Sequence, residues 1–311
     1  MLFLSRADVA RLLDIDALID AIAAGFIELS AGKTVVPPRV AAASPAGLLL
    51  AMPGYASHRL ATKLVSYFPG NAERELPSHH ALVAMFDAQT GAPTAVIDGT
   101  LITAMRTAAA SAVAVRALAR PDSRVLVVLG AGVQARAHLQ AVPRVRSFDE
   151  IVIANRSRDA AKTLADEFEA TVADSFEAAV RRADVLCLCT NAPSPVIDRR
   201  WLRPGTHVSS VGWVRQGAGE VDADTVHGAR IVVESRVAFS PPPAGAPELQ
   251  GLDPTAAVEL GEVLAGMHPG RTSDDELTLY KSMGHAVEDI VTAALVYDRA
   301  VRAGVGIELP L

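Results

Sequence analysis

A G-x-G-x-x-A sequence near the middle of the chain has the residue types and spacing that bind a pyrophosphate. Gly130 permits a sharp strand-to-helix turn, Gly132 lets backbone N–H groups approach the anion, and the small Ala135 lets the helix pack against the strand. The first helical turn, which contains Val133 and Gln134, adds unpaired N–H groups and a partial positive charge. The apolar runs before and after this segment favour dinucleotide binding over an ordinary tight turn.

The residues after the second strand of this unit indicate which dinucleotide binds. An NAD site usually has an acidic residue there, to accept a hydrogen bond from the ribose 2′-OH. This chain has Asn155, Arg156, Ser157 and Arg158 instead, and guanidinium groups suit a 2′-phosphate. We therefore expect NADP(H), with NAD(H) possible because Asp159 follows. The alternative is a solvated basic start to a helix.

Arg106 is the third candidate for chemistry. It interrupts an otherwise apolar helix, where an unpaired charge would be costly, so we expect it to have a partner or a ligand. His79 and His80 precede an apolar strand, and a core or loop role is expected for both in preference to catalysis.

Alternating strands and helices are predicted after residue 124, as in a doubly wound parallel sheet of the Rossmann type. Thr190, at the end of one predicted strand, is a further candidate for cofactor binding. The predicted strands are Val125–Leu129, Ile151–Ala154, Val185–Thr190, His207–Val211 and Ile231–Glu234, and the predicted helices are Arg158–Phe168 and Phe176–Arg182.

The first third of the chain has a different pattern. Ser5 and Asp14 or Asp16 are expected to begin two helices. Short apolar stretches punctuated by Pro and Gly then predict an antiparallel meander from Val35 to Asp98, with a hairpin loop at 88–93, before a helix over Leu101–Leu118.

A mostly helical segment over Asp274–Ala303 is expected to return to the N-terminal domain. The predicted fold class is therefore α/β, a Rossmann domain of residues 116–284 with a discontinuous α+β domain of residues 1–115 and 285–311.

The composition excludes several classes of protein. The net charge of −6 and pI near 5.8 argue against a nucleic-acid-binding protein. Cys187 and Cys189 would lie on one face of a strand as buried thiols, not as a metal site. We expect no signal peptide and, because Arg106 and Arg116 interrupt the longest apolar region, no membrane span. A cytoplasmic enzyme without a metal is the expectation.

Five segments, in this order along the chain, carry a resemblance to a known family. They are VPPR ending at Arg39, ATK ending at Lys63, GTLITAMRTAAASAVA from 99 to 114, VLGAGVQARAH around the glycine turn, and ELTLYKSMGHAVED from 276 to 289. Together they resemble the ornithine cyclodeaminase/μ-crystallin family. That resemblance implies a homodimer formed through the N-terminal sheets, a Rossmann domain on each subunit, and an active site between the domains.

The resemblance also implies roles for individual residues. Arg39, Lys63 and Arg106 match the family's substrate-carboxylate residues, and Thr107 matches a residue that contacts the cofactor phosphates. The chemistry is suitable, because a planar carboxylate is oriented by a bidentate Arg. Lys63 can pass a proton to the substrate nitrogen if the neighbouring cations lower its pKa. From the sequence alone, Arg39 and Lys63 are equally well explained as surface charges on the meander.

The chain departs from the cyclodeaminases at one position. Those enzymes carry an acidic residue just past the strand that ends here in Val211 and Gly212, whereas this chain has Trp213 and Val214. An apolar wall suits an uncharged ring or a short aliphatic chain better than an ammonium group, which counts against ornithine cyclisation.

The leading hypothesis is NAD(P)H-dependent reduction of a cyclic imino acid, Δ1-pyrroline-2-carboxylate or Δ1-piperideine-2-carboxylate, to the L-amino acid. The alternatives are an alanine-type amino-acid dehydrogenase, then an ornithine cyclodeaminase, and, from a different class, a non-catalytic NADPH-dependent binder of a small ligand. The expected partners are a small α-imino or α-amino acid and a second copy of the chain.

Overall fold

The computed structural model of the protein describes residues 1–212, 217 and 219–310. These residues form two compact units, Met1–Arg106 with His285–Leu311, and Thr107–Gly284. The domain limits expected from the sequence stay a prediction.

The strands of the described residues, in chain order, are β1 Leu2–Leu4, β2 Val40–Ala43, β3 Leu48–Ala56, β4 Arg59–Tyr67, β5 His79–Phe86, β6 Pro93–Asp98, β7 Val125–Leu129, β8 Glu150–Ala154, β9 Thr171–Val172, β10 Val185–Leu188, β11 His207–Ser210, β12 Arg230–Val233, β13 Val258–Glu259, β14 Thr278–Lys281 and β15 Ile307–Glu308. The α-helices are α1 Arg6–Leu12, α2 Ile15–Ser30, α3 Gly99–Leu118, α4 Val133–Ala141, α5 Arg158–Phe168, α6 Phe176–Val180, α7 Ala223–Gly228, α8 Leu260–Leu264 and α9 Ala286–Ala303.

The first unit contains a seven-stranded sheet in the order β15-β1-β6-β5-β4-β3-β2. Strands β2 to β6 pair antiparallel with their chain neighbours, and the loop between β5 and β6 is the expected hairpin. Side chains alternate across β3, so Leu48, Leu50 and Met52 are buried while Leu49 is exposed. Helices α2 and α9 pack against each other, and α9 also packs against β3 and β4. The predicted meander is confirmed.

The second unit contains an eight-stranded sheet in the order β13-β12-β14-β11-β10-β7-β8-β9, in which every pairing is parallel. Its central strands are buried on both faces, as their continuous apolar runs predict. The predicted fold class, a doubly wound parallel sheet together with an α+β part that contains antiparallel strands, is confirmed.

The segment Asp274–Ala303 differs from its prediction. It is not mostly helical throughout, because Thr278–Lys281 forms strand β14 between β11 and β12, and α9 begins only at Ala286. A strand of four residues, of which only Leu279 and Tyr280 are apolar, is too short to be distinguished from the start of a helix by periodicity. Its pairing with β11 and β12 makes it a strand.

Helix α3 requires a further correction. Among the described helices, it alone is long and apolar enough to cross a membrane by length and composition, despite Arg106 and Arg116. In this structure 78% of its apolar window is buried within the protein, as is usual for a core helix.

Candidate active site

Lys63 lies on the core-facing side of β4, between Ala61 and Val65 in the alternation of that strand. Only 3% of the residue is exposed, so the interpretation of Lys63 as a surface charge is wrong. Its Nζ atom lies 2.9 Å from Oδ1 and 2.9 Å from Oδ2 of Asp289. Helix α9 packs over β4 and thereby places that carboxylate above the lysine. A buried ammonium group needs such a counter-charge.

Arg106 projects from α3 into the same group of charges. It is 5% exposed, and Nη1 donates a 2.8 Å hydrogen bond to Oε2 of Glu288. Its Nε atom lies 3.3 Å from Oδ1 of Asp289. The partner expected for this arginine from its apolar surroundings is therefore present, in the form of two carboxylates. We call Arg39, Lys63, Arg106, Glu288 and Asp289 the charge cluster.

Glu288 and Asp289 are the site residues that the sequence interpretation missed. They lie in the first turn of α9 and are 0% and 1% exposed. Glu288 also completes a capping box, because its Oε1 accepts from the backbone N–H of His285 at 2.6 Å. Acidic residues are common at helix N-termini, because their negative charge interacts favourably with the positive end of the helix dipole. The sequence therefore gave no sign that this pair also contacts Lys63 and Arg106. The one available signal was two adjacent acids followed by an uncharged stretch of the helix, residues 290–296.

The electrostatics of the charge cluster lower the pKa of Lys63 to about 8. Burial is the main cause, and the positive charges of Arg106 and Arg39 act in the same direction. The negative charge of Asp289 opposes them and keeps the pKa from falling further. Arg39 is half-buried in the segment before β2 and is close enough to contribute to this field. The structure thus brings together the three predicted substrate residues, and a lysine with this pKa can release a proton near neutral pH.

In the second unit, the glycine turn follows β7 as expected. Gly130 has φ +119°, and a Cβ atom there would lie 2.5 Å from the carbonyl oxygen of Cys189, so only glycine fits. Gly132 is the N-cap residue of α4, with φ −92°, and a Cβ atom there would meet no heavy atom within 4 Å. Ala135, in the first turn of α4, is fully buried. The open space above Gly132 and the free first turn at Val133 and Gln134 fit a dinucleotide pyrophosphate.

In the segment after β8, Asn155 and Ser157 make local hydrogen bonds, whereas the side chains of Arg156 and Arg158 are exposed. Asn155 Nδ2 donates to the carbonyl of Ser157 at 3.1 Å, and Ser157 Oγ caps α5 by accepting from Ala160 at 3.2 Å. Arg158 pairs with Asp174 at 2.7 Å, but both side chains are exposed, and such pairs contribute little. Arg156 is exposed. Among the described residues of this segment there is no acid at the strand tip.

Thr190 and Glu220 belong to a buried polar network at the carboxyl ends of β10 and β11. Glu220 Oε1 accepts from the Thr190 backbone N–H at 2.7 Å and from its hydroxyl at 2.6 Å, and Oε2 accepts from Gly212 N at 2.7 Å. Lys281 donates to the Gly212 carbonyl at 3.0 Å and to Glu248 at 2.9 Å. Sequence reasoning missed Glu220, Glu248 and Lys281 because they are far apart in the chain. Trp213 and Val214, the predicted apolar wall, lie outside the described residues.

The remaining candidates are not members of the charge cluster. Thr107 follows Arg106 in α3 and is buried, while His79 and His80 are exposed at the start of β5, where the His79 ring lies 4.6 Å from that of Tyr67. Cys187 and Cys189 are buried free thiols. Within residues 1–212, 217 and 219–310, no group of three or more His, Cys, Asp or Glu side chains could hold a metal ion.

Comparison with known proteins agrees with this geometry. Residues 1–304 match the family model described as "Ornithine cyclodeaminase/mu-crystallin family". The chain is 40% identical over 270 residues to ketimine reductase mu-crystallin of Mus musculus, which covers 86% of this chain and 83% of that protein.

Two solved structures are similar over nearly the whole chain. Thermococcus litoralis Δ1-pyrroline-2-carboxylate reductase, in complex with NADH and L-proline, has a TM-score of 0.92 and 38% identity and covers 99% of this chain and 100% of its own. An archaeal alanine dehydrogenase dimer with bound NAD has a TM-score of 0.90 and 32% identity, and the match covers 100% of this chain and 99% of the dehydrogenase chain. The resemblance predicted from the motifs is confirmed, as is the reaction class, an oxidoreductase acting on carbon–nitrogen bonds.

Proposed function

Because the chain belongs to the ornithine cyclodeaminase/mu-crystallin family, we propose that it uses NAD(P)H to reduce a cyclic imino acid, Δ1-pyrroline-2-carboxylate or Δ1-piperideine-2-carboxylate, to the L-amino acid. The observation that carries this proposal is the buried Lys63, which lies beside Arg106 and has a pKa of about 8. A surface lysine would hold its proton near neutral pH, whereas this one can give it to a nitrogen atom that is being reduced. The similar reductase from T. litoralis, solved with L-proline, supports the same substrate class.

The three cations of the charge cluster, Arg39, Lys63 and Arg106, each have a task in this reaction. Arg39 and Arg106 bind the substrate carboxylate, since a guanidinium fork fixes the plane of that group and therefore the orientation of the ring. Lys63 donates its proton to the imine nitrogen while the carbon–nitrogen double bond becomes a single bond, and it regains a proton from water. The dinucleotide, when bound, supplies the hydride that the imine carbon accepts. Burial of the cluster excludes water and strengthens each of these charge interactions.

The cofactor is held by the glycine turn and the residues around it. Gly130, Gly132, Val133 and Gln134 bind the pyrophosphate, and Thr107 and Thr190 contribute hydroxyl groups. Arg156 and Arg158, on either side of Ser157, favour NADP(H), because they would bind a 2′-phosphate and there is no acid at the strand tip in the described segment. The similar structures were solved with NADH or NAD, so a preference for NADP(H) would distinguish this chain from them.

A homodimer is part of the proposal. The face of the seven-stranded sheet opposite α9 carries exposed apolar side chains on three neighbouring strands, namely Leu49, Leu60 and Leu82. Val40 on the edge strand is 63% exposed. Several large apolar side chains exposed on one face are typical of an interface, and the similar alanine dehydrogenase is a dimer. The occupant is a second copy of the chain, which sedimentation or light scattering will test. A cytoplasmic location remains a prediction.

A substrate panel tests the function. NADPH and NADH oxidation would be followed with the two cyclic ketimines, and separately with pyruvate plus ammonia. Oxidation that depends on a ketimine supports the proposal. Oxidation only with pyruvate and ammonia would favour the alanine-type dehydrogenase, which the similarity to the archaeal enzyme makes the second candidate. No oxidation with any of them would contradict the proposed reaction and favour a binding role.

A further inference from the structure

One carboxylate of the charge cluster contacts both of the buried cations. Asp289 receives Lys63 Nζ at 2.9 Å and Arg106 Nε at 3.3 Å, and it is 1% exposed. We propose that Asp289 is a positioning residue for the reaction, which holds the proton-donating ammonium of Lys63 and the carboxylate-binding guanidinium of Arg106 in a fixed relation to each other. This inference rests on the proposed function, because it assigns Asp289 a role in that same site.

Stability does not account for this arrangement. When two charges are buried, the free energy of their mutual attraction is offset by the loss of their hydration. A buried ion pair therefore stabilises the folded state less than well-packed apolar side chains of similar volume. The surrounding surface is already apolar, since the neighbours of Lys63 on the same face of β4 are Ala61 and Val65. Three charges from three different elements, β4, α3 and α9, therefore meet in the core of the first unit for a reason other than folding. Catalytic sites are where such an arrangement is expected.

The two adjacent acids both contact Arg106, but at different atoms, and only Asp289 also contacts Lys63. Consecutive residues of an α-helix point about 100° apart, so Glu288 and Asp289 reach different atoms. Glu288 accepts from Arg106 Nη1 at 2.8 Å and from the backbone N–H of His285. Asp289 lies against Lys63 and the Nε edge of Arg106. Glu288 thus ties the arginine to the start of the helix, whereas Asp289 connects the arginine to the lysine.

The charged and titratable groups that face Lys63 come from every element around it. Asp289 approaches from α9, Arg106 from α3 and Arg39 from the segment before β2. The pKa of His79 on β5 is also lowered, mainly because neighbouring atoms desolvate part of its otherwise exposed ring and secondly by the positive charge of Lys63. Asp289 supplies the negative charge against these cations, so it helps to keep Lys63 protonated, and therefore able to donate, at neutral pH.

Direct titration of Lys63 tests this role without any assay of activity. The chain has four lysines, Lys33, Lys63, Lys162 and Lys281, so a protein labelled with 13C at lysine Cε gives a simple NMR spectrum. The Lys63 resonance is assigned by its loss in Lys63→Arg. In the wild-type protein it is expected to titrate near 8. In Asp289→Asn the midpoint is expected to fall by about 1–3 pH units, the usual effect of losing an opposite charge at this distance.

Kinetics supply the second measurement. The kcat/KM of imine reduction is expected to fall as pH rises through the Lys63 pKa, because the ammonium form is the donor. In Asp289→Asn this alkaline limb is expected to move to lower pH by the same amount as the NMR midpoint. The matched control is Glu288→Gln, the same change of charge at the next residue. It is expected to raise KM for the substrate, through Arg106, while the alkaline limb moves much less.

The outcomes separate the two proposals. Absence of imine reduction in the wild-type protein contradicts the proposed function, and the NMR titration then still tests Asp289. An unchanged Lys63 midpoint in folded Asp289→Asn overturns the positioning role, as do equal shifts in both variants, which would reflect a general loss of negative charge. If Asp289→Asn does not fold, the wild-type titration decides. A Lys63 midpoint near the ordinary 10.5 would mean that this group is not held as described.

Discussion

Replacement of Arg106 by lysine tests the carboxylate clamp with the least disturbance to the core. Both partners of Arg106 are almost fully buried, Glu288 at 0% and Asp289 at 1% exposure, so an apolar substitution would leave charges without compensation. Lysine keeps the positive charge but loses the planar fork, and with it one charge-assisted hydrogen bond. Such a bond contributes about 1.5–3 kcal/mol, which corresponds to a loss of about 10- to 150-fold in kcat/KM.

The assay is the initial rate of NAD(P)H oxidation with each cyclic ketimine, and with the same ring lacking its carboxylate. The loss is expected only for the substrate that carries a carboxylate, because the other ring never uses the clamp. Arg59→Lys on β4 is the matched control, since Arg59 pairs with Asp298 at 2.7 Å on a surface where the side chains are 37% and 43% exposed. An Arg106→Lys enzyme with unchanged kcat/KM would refute the clamp, as would an equal loss for the ring without a carboxylate.

Three further predictions concern the second unit. Arg156→Ala is expected to raise KM for NADPH by about tenfold and to leave KM for NADH nearly unchanged, because only the 2′-phosphate needs that guanidinium; equal effects on both cofactors would contradict the preference. Gly130→Ala is expected to lower the free energy of unfolding by at least about 1–2 kcal/mol, because φ at that position is +119°. Gly132→Ala, where φ is −92° and a Cβ atom would meet no neighbour, is expected to leave the free energy of unfolding unchanged but to weaken dinucleotide binding. Calorimetry measures both quantities. Glu220→Gln is expected to lower that free energy by about 1–3 kcal/mol in denaturant titrations, because an amide NH₂ group cannot accept the bonds from Ser210 and Gly212; an unaltered midpoint would show that the network of β10 and β11 is dispensable.

Much of the fold was accessible from local patterns. The glycine turn, the strand before it and α5 were predicted within a residue or so, because each rests on neighbouring residues that obey one rule. Ser5 and Asp14 were likewise expected as helix caps, and both accept the bonds that a cap requires. β14 was missed because its strand character comes from the two strands beside it, which are distant in the chain.

The site was accessible only in part, and for the same reason. Lys63 in a meander has no sequence feature that separates a buried cation from a surface one. Its burial depends on α9, which begins more than 200 residues later and covers that face of β4. Glu288 and Asp289 match an ordinary pattern for the start of a helix. Their contacts with Lys63 and Arg106 join residues that are 226 and 182 positions apart in the chain.

The amino-acid sequence by itself therefore determined the nucleotide-binding turn, the alternation of strands and helices, and the family. These depend on short-range rules of backbone geometry and apolar spacing. Only the tertiary structure decided which charges meet. The pKa of Lys63 is a property of burial and of three other side chains, which reach it from α3, α9 and the segment before β2. No local sequence pattern predicts how close these side chains come to Lys63. Electrostatic coupling depends on separation in space and on access to water, not on separation along the chain.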